Sequence, residues 1–338
     1  MTVANSASYL AEMAIEEEGT AGTAGTTPDI YDYFNGDPGI NPVQTVVRME
    51  NVYTRALLKT AFGAYHMEGS VPQYVEPGGT LGWLMKWALG GVSSSQQGAT
   101  DAYKHTFIPA NATKTFTLWL VRGGNQTVKI PYCKVNTIEF TQSVDDALRM
   151  NWSFIGQKET IATDFGTHSY STLNPFMNSN LTVEINDGAT GVAAEVHNTT
   201  ITLENNINID SGRVHGSRFY SNLINGKRSI SGSFDLWFDD DTQYESFWGD
   251  RSTPATTPET DAPETNKLEF TWDTGIEAAT SYNYIFKITV PAAVYESTSV
   301  DLGGDRIKQT VNFVGQYDTS ATNEVSAELT NKTTDYAI

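Results

Sequence analysis

The sequence feature that most limits the fold is a set of short segments that occur twice in the same order. The strand ending "FIGQ" at 154–157 returns as "FVGQ" at 313–316, and "KTAFGAYHM" at 59–67 matches "RSISGSFDL" at 228–236. The offset between partners stays between 159 and 169 residues along the chain. No single match is distinctive, but their shared order and near-constant spacing predict two copies of one structural unit.

Most segments in each copy have the pattern of β-strands. β-Branched and aromatic residues alternate with polar ones in "FTLWLV" and "VNTIEFTQ" of the first copy, and in "LTVEIN" and "KLEFTWDT" of the second. Each copy also holds one short helical pattern, "GTLGWLMKWALGG" or "DTQYESFWGD", and the two patterns end alike, at Leu89-Gly90 and at Trp248-Gly249. In the second pattern Thr242 and Glu245 form a capping-box pattern. We therefore predict a mainly β protein with two tandem, similar β-sandwich or barrel units, each with one short helix.

The boundaries of these units follow from shifts in composition. The first 47 residues contain no Lys or Arg and seven acidic residues, and residues 6–18 predict a short helix with Tyr9, Leu10, Met13 and Ala14 on one face. A Thr/Pro-rich run at 252–266 predicts an exposed loop. The predicted organisation is an extended, acidic N-terminal arm (1–40), a first β unit (41–160), a linker (161–179), a second β unit (180–320) and a C-terminal segment (321–338).

Charge and cysteine content exclude several classes of protein. With 40 acidic against 21 basic residues the formal charge is −19, which argues against general nucleic-acid binding because that requires Lys and Arg at the phosphates. Cys133 is the one cysteine, so the chain has no internal disulfide. The N-terminus lacks the basic and apolar regions of a signal peptide. No apolar run approaches the roughly 20 residues of a membrane span, and we expect a soluble protein made in a reducing compartment.

Candidates for catalysis and metal binding are weak. The five histidines have no HxxxH spacing and no cysteine pair beside them, and no GxSxG elbow, P-loop or dinucleotide fingerprint is present. The run Asp239 to Asp241 lacks the spacing of an EF-hand loop and precedes a predicted helix, so helix capping is favoured over calcium binding. No pair of carboxylates is singled out for glycoside hydrolysis. We predict no enzyme and no cofactor.

Several large aromatic residues occupy equivalent or near-equivalent places in the two copies, which favours packing over sugar stacking. The residues predicted as core or subunit-interface anchors are Trp87, Trp152, Phe154, Trp248 and Phe313.

Three stretches, "INGKRSISGSFDLWFDDDTQYESFW", "KITVPAAVYESTSV" and "IKQTVNFVGQYD", occur in an order that resembles the tail-tube (major tail) proteins of long-tailed bacteriophages. The resemblance covers most of the chain and is one of layout more than of signature residues. It implies a small β-sandwich-like barrel flanked by a helix, assembly into stacked rings around a channel, and no catalytic residues. The long acidic arm and the Thr/Pro-rich loop depart from the pattern.

The resemblance implies a structural virion protein that is synthesised in the host cytoplasm and self-assembles into an acidic-lined conduit for DNA. Its implied partners are itself and the tape-measure, tail-tip and tail-terminator proteins, with transient, non-specific passage of double-stranded DNA and no membrane contact. The residues predicted for inter-ring contacts by the arm are Tyr9, Leu10, Met13, Tyr31, Tyr33 and Phe34.

Two questions stay open at this stage. Because tubes of this kind are typically six-fold, two units per chain favour a trimeric ring with pseudo-six-fold symmetry over a hexameric ring in which the two units form one domain. The alternative function is a carbohydrate-binding or adhesin-type β-sandwich of a virion surface, with a β-rich glycosidase as a further rival.

Overall fold

The computed structural model describes a mainly β protein over residues 11–49, 57, 59–124, 126–163, 165–166, 169–186, 191–239, 241–249 and 263–336. The predicted fold class, mainly β with one short helix in each half, is confirmed. The strands are β1 Glu12–Glu17, β2 Ile30–Asp32, β3 Asn41–Met49, β4 Lys59–Tyr74, β5 Gly90–Gln96, β6 Tyr103–Pro109, β7 Phe116–Arg122, β8 Gln126–Ser143, β9 Arg149–Gly156, β10 Thr160–Ala162, β11 Leu181–Asn186, β12 Gly191–Ala194, β13 Val196–Glu204, β14 Ser229–Trp237, β15 Asn266–Ala279, β16 Tyr282–Asp301, β17 Lys308–Gly315 and β18 Ser326–Asn331. The helices are α1 Leu81–Leu89 and α2 Thr242–Trp248, and two single 3₁₀ turns span Asn178–Asn180 and Asp210–Gly212.

Eight strands form a continuous antiparallel sheet that joins the two halves of the chain. Its order is β3-β4-β9-β8-β13-β14-β17-β16. The junction between the halves is the β8–β13 ladder, in which Glu139 pairs with Thr202 and Phe140 with Ile201. The first four strands belong to the first half of the chain and the last four belong to the second half.

The two longest strands, β8 and β16, take part in more than one sheet. The N-terminal part of β8 belongs to a first flanking sheet of order β2-β1-β7-β8-β10. The N-terminal part of β16 belongs to a second flanking sheet of order β12-β11-β15-β16-β18-β6-β5. The C-terminal part of each long strand then enters the eight-stranded sheet.

The core lies between the eight-stranded sheet and the flanking sheets, as alternating apolar residues on each strand require. In the first half Phe116 of β7 contacts Trp152 of β9, with ring centroids 6.0 Å apart. In the second half Phe270 of β15 stacks on Phe313 of β17, with centroids 6.3 Å apart. Phe140 and Phe286 meet across the junction at 5.5 Å. One continuous cluster of buried apolar side chains therefore runs through both halves.

The pairing pattern of the first half recurs in the second. In the first half the long strand β8 pairs with β7 and β9, and β9 also pairs with β4, the strand before α1. In the second half the long strand β16 pairs with β15 and β17, and β17 also pairs with β14, the strand before α2. The bulges recur as well. Asn136 is skipped in the β8–β9 ladder and Glu296 in the β16–β17 ladder. The β7–β8 ladder slips between Phe116 and Leu118, and the β15–β16 ladder slips between Asn266 and Leu268.

The glycine of β4 that corresponds to Gly232 is not the one that the sequence match indicates. The match of 59–67 with 228–236 aligns Gly63 with Gly232. The strand ladders instead place Gly69 opposite Phe154 and Gly232 opposite Phe313. The positional counterpart of Gly232 is therefore Gly69, six residues later than the sequence comparison predicts. The local Gly-small-aromatic pattern was misleading because β4, at 16 residues, is much longer than β14.

The helix predicted over residues 6–18 is wrong where the structure describes it. Residues 12–17 form strand β1, which pairs on one side with β2 and on the other with β7. Met13, Ala14 and Ile15 are fully buried. Three consecutive apolar residues suit a strand covered on both faces, and tertiary packing overrides the helical pattern. The described part of the predicted arm is thus built into the sheet, and Tyr9 and Leu10 lie outside the described residues.

The other segments that the sequence places outside the two units also contact the folded body. The predicted linker carries Phe176, which is fully buried and exchanges backbone hydrogen bonds with Val75 and Leu148. The predicted C-terminal segment forms β18, which pairs with β16 of the second half and β6 of the first. Of the predicted Thr/Pro loop, residues 252–262 lie outside the described residues, while Asn266 is buried and begins β15.

Both helices end at the glycine that their sequences predict. Gly90 follows α1 with φ +95° and Gly249 follows α2 with φ +84°, a backbone conformation that glycine adopts without strain. The capping-box prediction for α2 is wrong, since Asp241 occupies the N-cap position, makes no side-chain cap hydrogen bond, and Thr242 is already helical. All nine residues of α1 are buried, and its Lys86 forms a 2.6 Å ion pair with Glu17 of β1.

Candidate functional site: the solvent face and edges of the eight-stranded sheet

The face of the eight-stranded sheet that points away from the core is almost entirely polar and mostly uncharged. Alternation along the strands brings hydroxyl and amide side chains into register across the halves, as in the row Thr141, Thr200, Ser233, Asn312 and Ser297. The other such residues are Ser70, Thr137, Asn151, Ser153, Thr202, Ser231, Ser299 and Thr310. Outside the β3–β4 hairpin, the described strands expose no large apolar side chain on this face, and its short side chains keep it even.

Carboxylates outnumber cations on this solvent face. Its acidic residues are Glu68, Glu139, Glu204, Asp235 and Asp301. From Met67 of β4 to Asp301 of β16, the basic residues that reach solvent there are Arg149 and Lys308, and each is paired with a carboxylate: Arg149 with Asp146 at 2.6 Å and Lys308 with Asp235 at 2.7 Å. Burial opposes ionisation of Asp235, but hydrogen bonds from Asn198, Lys308 and Thr310 outweigh it and lower the pKa of this carboxyl.

A third cation on this side of the sheet, Lys134, is covered by another part of the chain. Its Nζ donates to the backbone carbonyl of Leu223 at 2.8 Å and to the side-chain oxygen of Asn225 at 3.3 Å. Burial lowers the pKa of this ammonium group. From Met67 of β4 to Asp301 of β16, the described strand residues of this face therefore present no unpaired, exposed cation to a polyanion, whereas Arg48 and Lys59 are exposed on the β3–β4 hairpin.

The two outermost strands of the eight-stranded sheet have edges open to pairing. Among the described residues, β3 pairs with β4 alone, and eight of its nine residues are exposed. At the other end, β16 pairs with β15 as far as Ala293, and beyond it residues 294–301 pair with β17 on one side only. Unpaired N–H and C=O groups on such edges favour association with another strand.

The hairpin of β3 and β4 extends past the rest of the sheet. β9 covers β4 only from Met67 onward, so residues 59–66 have β3 as their sole strand partner among the described residues. This ribbon carries exposed apolar side chains, and Phe62 is 64% exposed. The others are Val46, Val47 and Met49. A two-stranded ribbon is marginally stable alone in water, and apolar residues clustered on it mark an interaction surface.

The predicted anchor residues fall into two groups. Trp87, Trp152, Phe154 and Phe313 lie in the core of the chain, each at most 1% exposed. Trp87 stacks on Phe116 with ring centroids 4.5 Å apart. Trp248 is only half-buried, at the end of α2, where it contacts Tyr244.

The predicted inter-ring residues also separate. Met13 is fully buried within the chain, so its side chain has no surface to offer a second copy. Tyr31 donates to the carbonyls of Pro28 and Phe165, and Tyr33 donates to Glu76. Phe34 packs partly against the core and lines a surface cleft. An inter-ring role stays a prediction for Tyr31, Tyr33 and Phe34.

The described residues contain no group of three or more His, Cys, Asp or Glu side chains placed to hold a metal ion. They also contain no helix that is long and apolar enough to cross a bilayer. In the cluster predicted to cap α2, Asp239 accepts two hydrogen bonds from Arg306 at 2.9 Å, and Asp240 lies outside the described residues.

Sequence reasoning missed the residues that matter most at this site. The edge strand β3 and the end of β16 resemble any other strand in composition, and which strand lies outermost depends on long-range pairing. The duplication was the one available sign of which strands end the sheet. If the last strand of the first copy pairs with the first strand of the second copy, the first strand of the first copy and the last strand of the second copy are left unpaired.

A family model described as phage tail tube protein matches residues 8–324. No curated protein matches the chain.

Proposed function

Since the chain belongs to the family of phage tail tube proteins, we propose that its copies close into rings through the open edges of the eight-stranded sheet, and that the rings stack into an acidic-lined conduit for double-stranded DNA. Family membership makes the protein a structural component of the virion tail. A structural role accounts for the polar, featureless solvent face of the sheet, which offers no arrangement for catalysis.

The observation that carries the proposal is the β8–β13 junction. There the last strand of the first four-stranded set pairs with the first strand of the second set. The corresponding two strands are left open at the two edges of the eight-stranded sheet. β3, at one edge, is the first strand of the first set, and the end of β16, at the other edge, is the last strand of the second set. A copy of the chain that repeats the junction pairs its β3 with the end of β16 of its neighbour.

Such a contact is head-to-tail, and a head-to-tail contact closes into a ring when the rotation between copies divides a full turn. Closure removes both open edges, which otherwise promote uncontrolled aggregation. The internal junction relates two similar sets of strands within one chain, so each chain contributes two steps of the rotation. We propose a trimeric ring with pseudo-six-fold symmetry, in which three chains supply six sets.

The internal junction also predicts the register between chains. Thr202 pairs with Glu139 across the junction. Asn41 pairs with Glu68, the residue before Gly69, and Thr202 pairs with Ser231, the residue before Gly232. Asn41 therefore corresponds to Thr202. Ser299 corresponds to Glu139 in its position after the recurring bulge. We propose that Asn41 of one chain lies opposite Ser299 of the next.

For stacking, we propose the β3–β4 ribbon as the contact between rings. Its exposed apolar side chains, Phe62 above all, need a partner, and the ribbon extends beyond the sheet that would form the ring wall. The double substitution Val47→Ser/Phe62→Ser should give rings that do not lengthen into tubes. Tubes of ordinary length from this variant would assign stacking to another surface, such as Tyr33 and Phe34 of the N-terminal region.

The solvent face of the sheet supports the conduit. If the eight-stranded sheets of a ring form its inner wall, five carboxylates per chain face the channel. From Met67 of β4 onward, the two exposed cations of this face, Arg149 and Lys308, are already paired with carboxylates. A polyanion such as DNA is then repelled by the wall and slides through without being held. The tape-measure, tail-tip and tail-terminator proteins are the proposed partners at the ends of the tube, with synthesis and assembly in the host cytoplasm.

The deciding experiment is electron microscopy of the purified protein over a range of concentrations, together with disulfide trapping of the Asn41→Cys/Ser299→Cys double variant. Hollow tubes or rings, with chain-to-chain cross-links formed by the double variant alone, support the proposal. Cys133 is fully buried and stays out of the reaction. Particles that remain monomeric at every concentration and bind glycans would favour the carbohydrate-binding alternative.

A further inference from the structure

Leu302 is an apolar side chain left in solvent at the end of β16. It is 75% exposed and directly follows the last residue of that strand. Leu302 lies just past the open edge segment that we assign to the ring contact. An apolar residue at this position is explained if a neighbouring chain covers it.

The internal junction shows what covers the equivalent position in the first half. Thr141 pairs with Arg149 at the start of β9, and Asp301 pairs with Lys308 at the start of β17, so Thr141 and Asp301 hold equivalent positions. The residues that follow them, Gln142 and Leu302, are therefore counterparts. Gln142 is only 5% exposed, and its Oε1 accepts a 2.5 Å hydrogen bond from Nε1 of Trp272. At the internal junction, the second half of the chain therefore covers the end of β8.

The residues of the first half that correspond to this cover can be identified from the ladders. Trp272 and Phe270 pair with Phe286 and Ile288 of β16. The matching bulge in the β7–β8 ladder makes Arg122 the counterpart of Trp272, and Leu120 the counterpart of Phe270. In a ring built by repeating the junction, Leu120 and Arg122 of one chain stand over the end of β16 of its neighbour.

These residues line a surface cleft of about 620 Å³. Phe34, Pro38, Ile40 and Leu120 contribute apolar walls, and Arg122 also lines it. Arg122 is held by a 2.6 Å ion pair with Glu159. Ile40 directly precedes β3, so the cleft begins where the proposed chain-to-chain ladder ends.

We propose that Leu302 of one chain inserts into the cleft lined by Phe34, Ile40, Leu120 and Arg122 of the adjacent chain in the same ring. The occupant is a second copy of this chain, and the inference rests on the proposed function. The apolar contact takes the place of the Trp272–Gln142 hydrogen bond of the internal junction. Insertion of Leu302 anchors the ladder between chains at the end where residues 303–306 turn away.

Disulfide trapping tests the contact directly. The Leu302→Cys/Phe34→Cys variant, assembled and mildly oxidised, should give chain-to-chain cross-links on a non-reducing gel. The single variants should give none, nor should Leu302→Cys/Ile276→Cys, in which the second position is exposed elsewhere on the surface.

The outcomes separate this inference from the proposed function. Cross-linking of the 41/299 pair without cross-linking of the 302/34 pair would overturn the Leu302 contact and leave the ring intact. Failure of the parent protein to form rings or tubes would overturn both.

A second measurement relies on assembly alone. Burying one leucine side chain contributes enough that Leu302→Asp should raise the critical concentration for assembly about tenfold or more. Leu302→Met keeps an apolar side chain and should assemble near the parent concentration, while Leu302→Asp should melt at the parent temperature because residue 302 is exposed in the free chain. Equal critical concentrations for the Asp and Met variants would contradict the insertion.

Discussion

Phe313 lies directly opposite Gly232 in the β14–β17 ladder, and its ring occupies the space in which a side chain at residue 232 would begin. A Cβ atom built at Gly232 would lie 2.6 Å from Cζ of Phe313, closer than real contacts allow. In the first half Phe154 also lies opposite a glycine, Gly69, but a Cβ atom at Gly69 would meet Ile40 at 2.9 Å and Gly39 at 3.0 Å rather than the Phe154 ring. The glycine at 232 thus makes room for the Phe313 ring against the neighbouring strand.

This relationship predicts that Gly232→Ala destabilises the folded chain. The added methyl group must displace the Phe313 ring or the strand backbone, and overpacking of this kind costs about 1–3 kcal/mol. Gly19→Ala is the matched control, because a Cβ at Gly19 meets nothing within 4 Å. Urea unfolding of both variants measures the difference. Equal free energies of unfolding would show that the ladder can shift without cost.

A hydrogen bond in the core of the first half gives a second prediction. Trp152 is fully buried, and its Nε1 donates to Oε1 of Gln73 at 2.6 Å. Trp152→Ala should lower the free energy of unfolding by about 3–5 kcal/mol, since it leaves a cavity and removes the shorter of the two hydrogen bonds that Oε1 of Gln73 accepts, the other coming from Thr80 at 3.4 Å. Trp248→Ala, at a half-buried site, should cost clearly less. Denaturant unfolding measures the free energy of unfolding of both variants. A larger loss for Trp248→Ala than for Trp152→Ala would contradict the argument from burial.

Much of this fold could be predicted from the sequence because its signals are local. The glycines after Leu89 and Trp248 ended both predicted helices at the right residue, and alternation along segments such as "VNTIEFTQ" identified strands. Residues 12–17 misled because "EMAIEE" has helical composition, while its partner strand β7 lies about a hundred residues away in sequence. Local patterns carry no information about such pairing.

The candidate site was harder to predict, for the same reason. Alternation assigns Thr200 and Ile201 to opposite faces of a strand but does not say which strand ends the sheet. Leu302 illustrates the limit. In the sequence it is one apolar residue before a Gly-Gly turn, and only the comparison with Gln142 at the internal junction gives it a role.

Two carboxyls near the start of α1, the half-buried Asp32 and the buried Glu76, predict how stability changes with pH. Burial raises the pKa of Asp32 to about 6 and the pKa of Glu76 to about 7. Both values lie above those of the same groups in an unfolded chain, so the folded protein binds protons more tightly. The stability they contribute is complete below about pH 4 and is lost as the pH rises through 6 and 7.

Glu76→Gln removes one of these groups and should flatten the fall in stability between about pH 5 and 8. Urea unfolding at several pH values provides the measurement, with Glu277→Gln, an exposed carboxylate, as the control. Parallel stability curves for the parent and Glu76→Gln would mean that Glu76 does not titrate in this range.

The duplication predicts the number of chains in a ring. In fully cross-linked Asn41→Cys/Ser299→Cys assemblies, each chain joins the next, so the largest covalent species equals one closed ring. We expect the ladder of products on a non-reducing gel to end at three chains, and the cross-linked ring to keep that mass after dilution. A ladder that continues to six would favour the hexameric ring, in which the two strand sets of a chain act as one domain.

The charge of the sheet's solvent face makes a prediction about DNA. Glu139→Lys/Glu204→Lys adds cations to the proposed channel wall, where the parent presents carboxylates. Tubes of this variant should retain short double-stranded DNA at low salt and release it as salt rises, because lysines at phosphates displace condensed counterions. Tubes of the parent should not retain it. The control Asp101→Lys/Glu277→Lys makes the same change in net charge at exposed positions of the second flanking sheet, at the turn between β5 and β6 and in β15. Co-sedimentation of labelled DNA with assembled tubes measures retention, and equal retention by the two double variants would place the channel wall on a different surface.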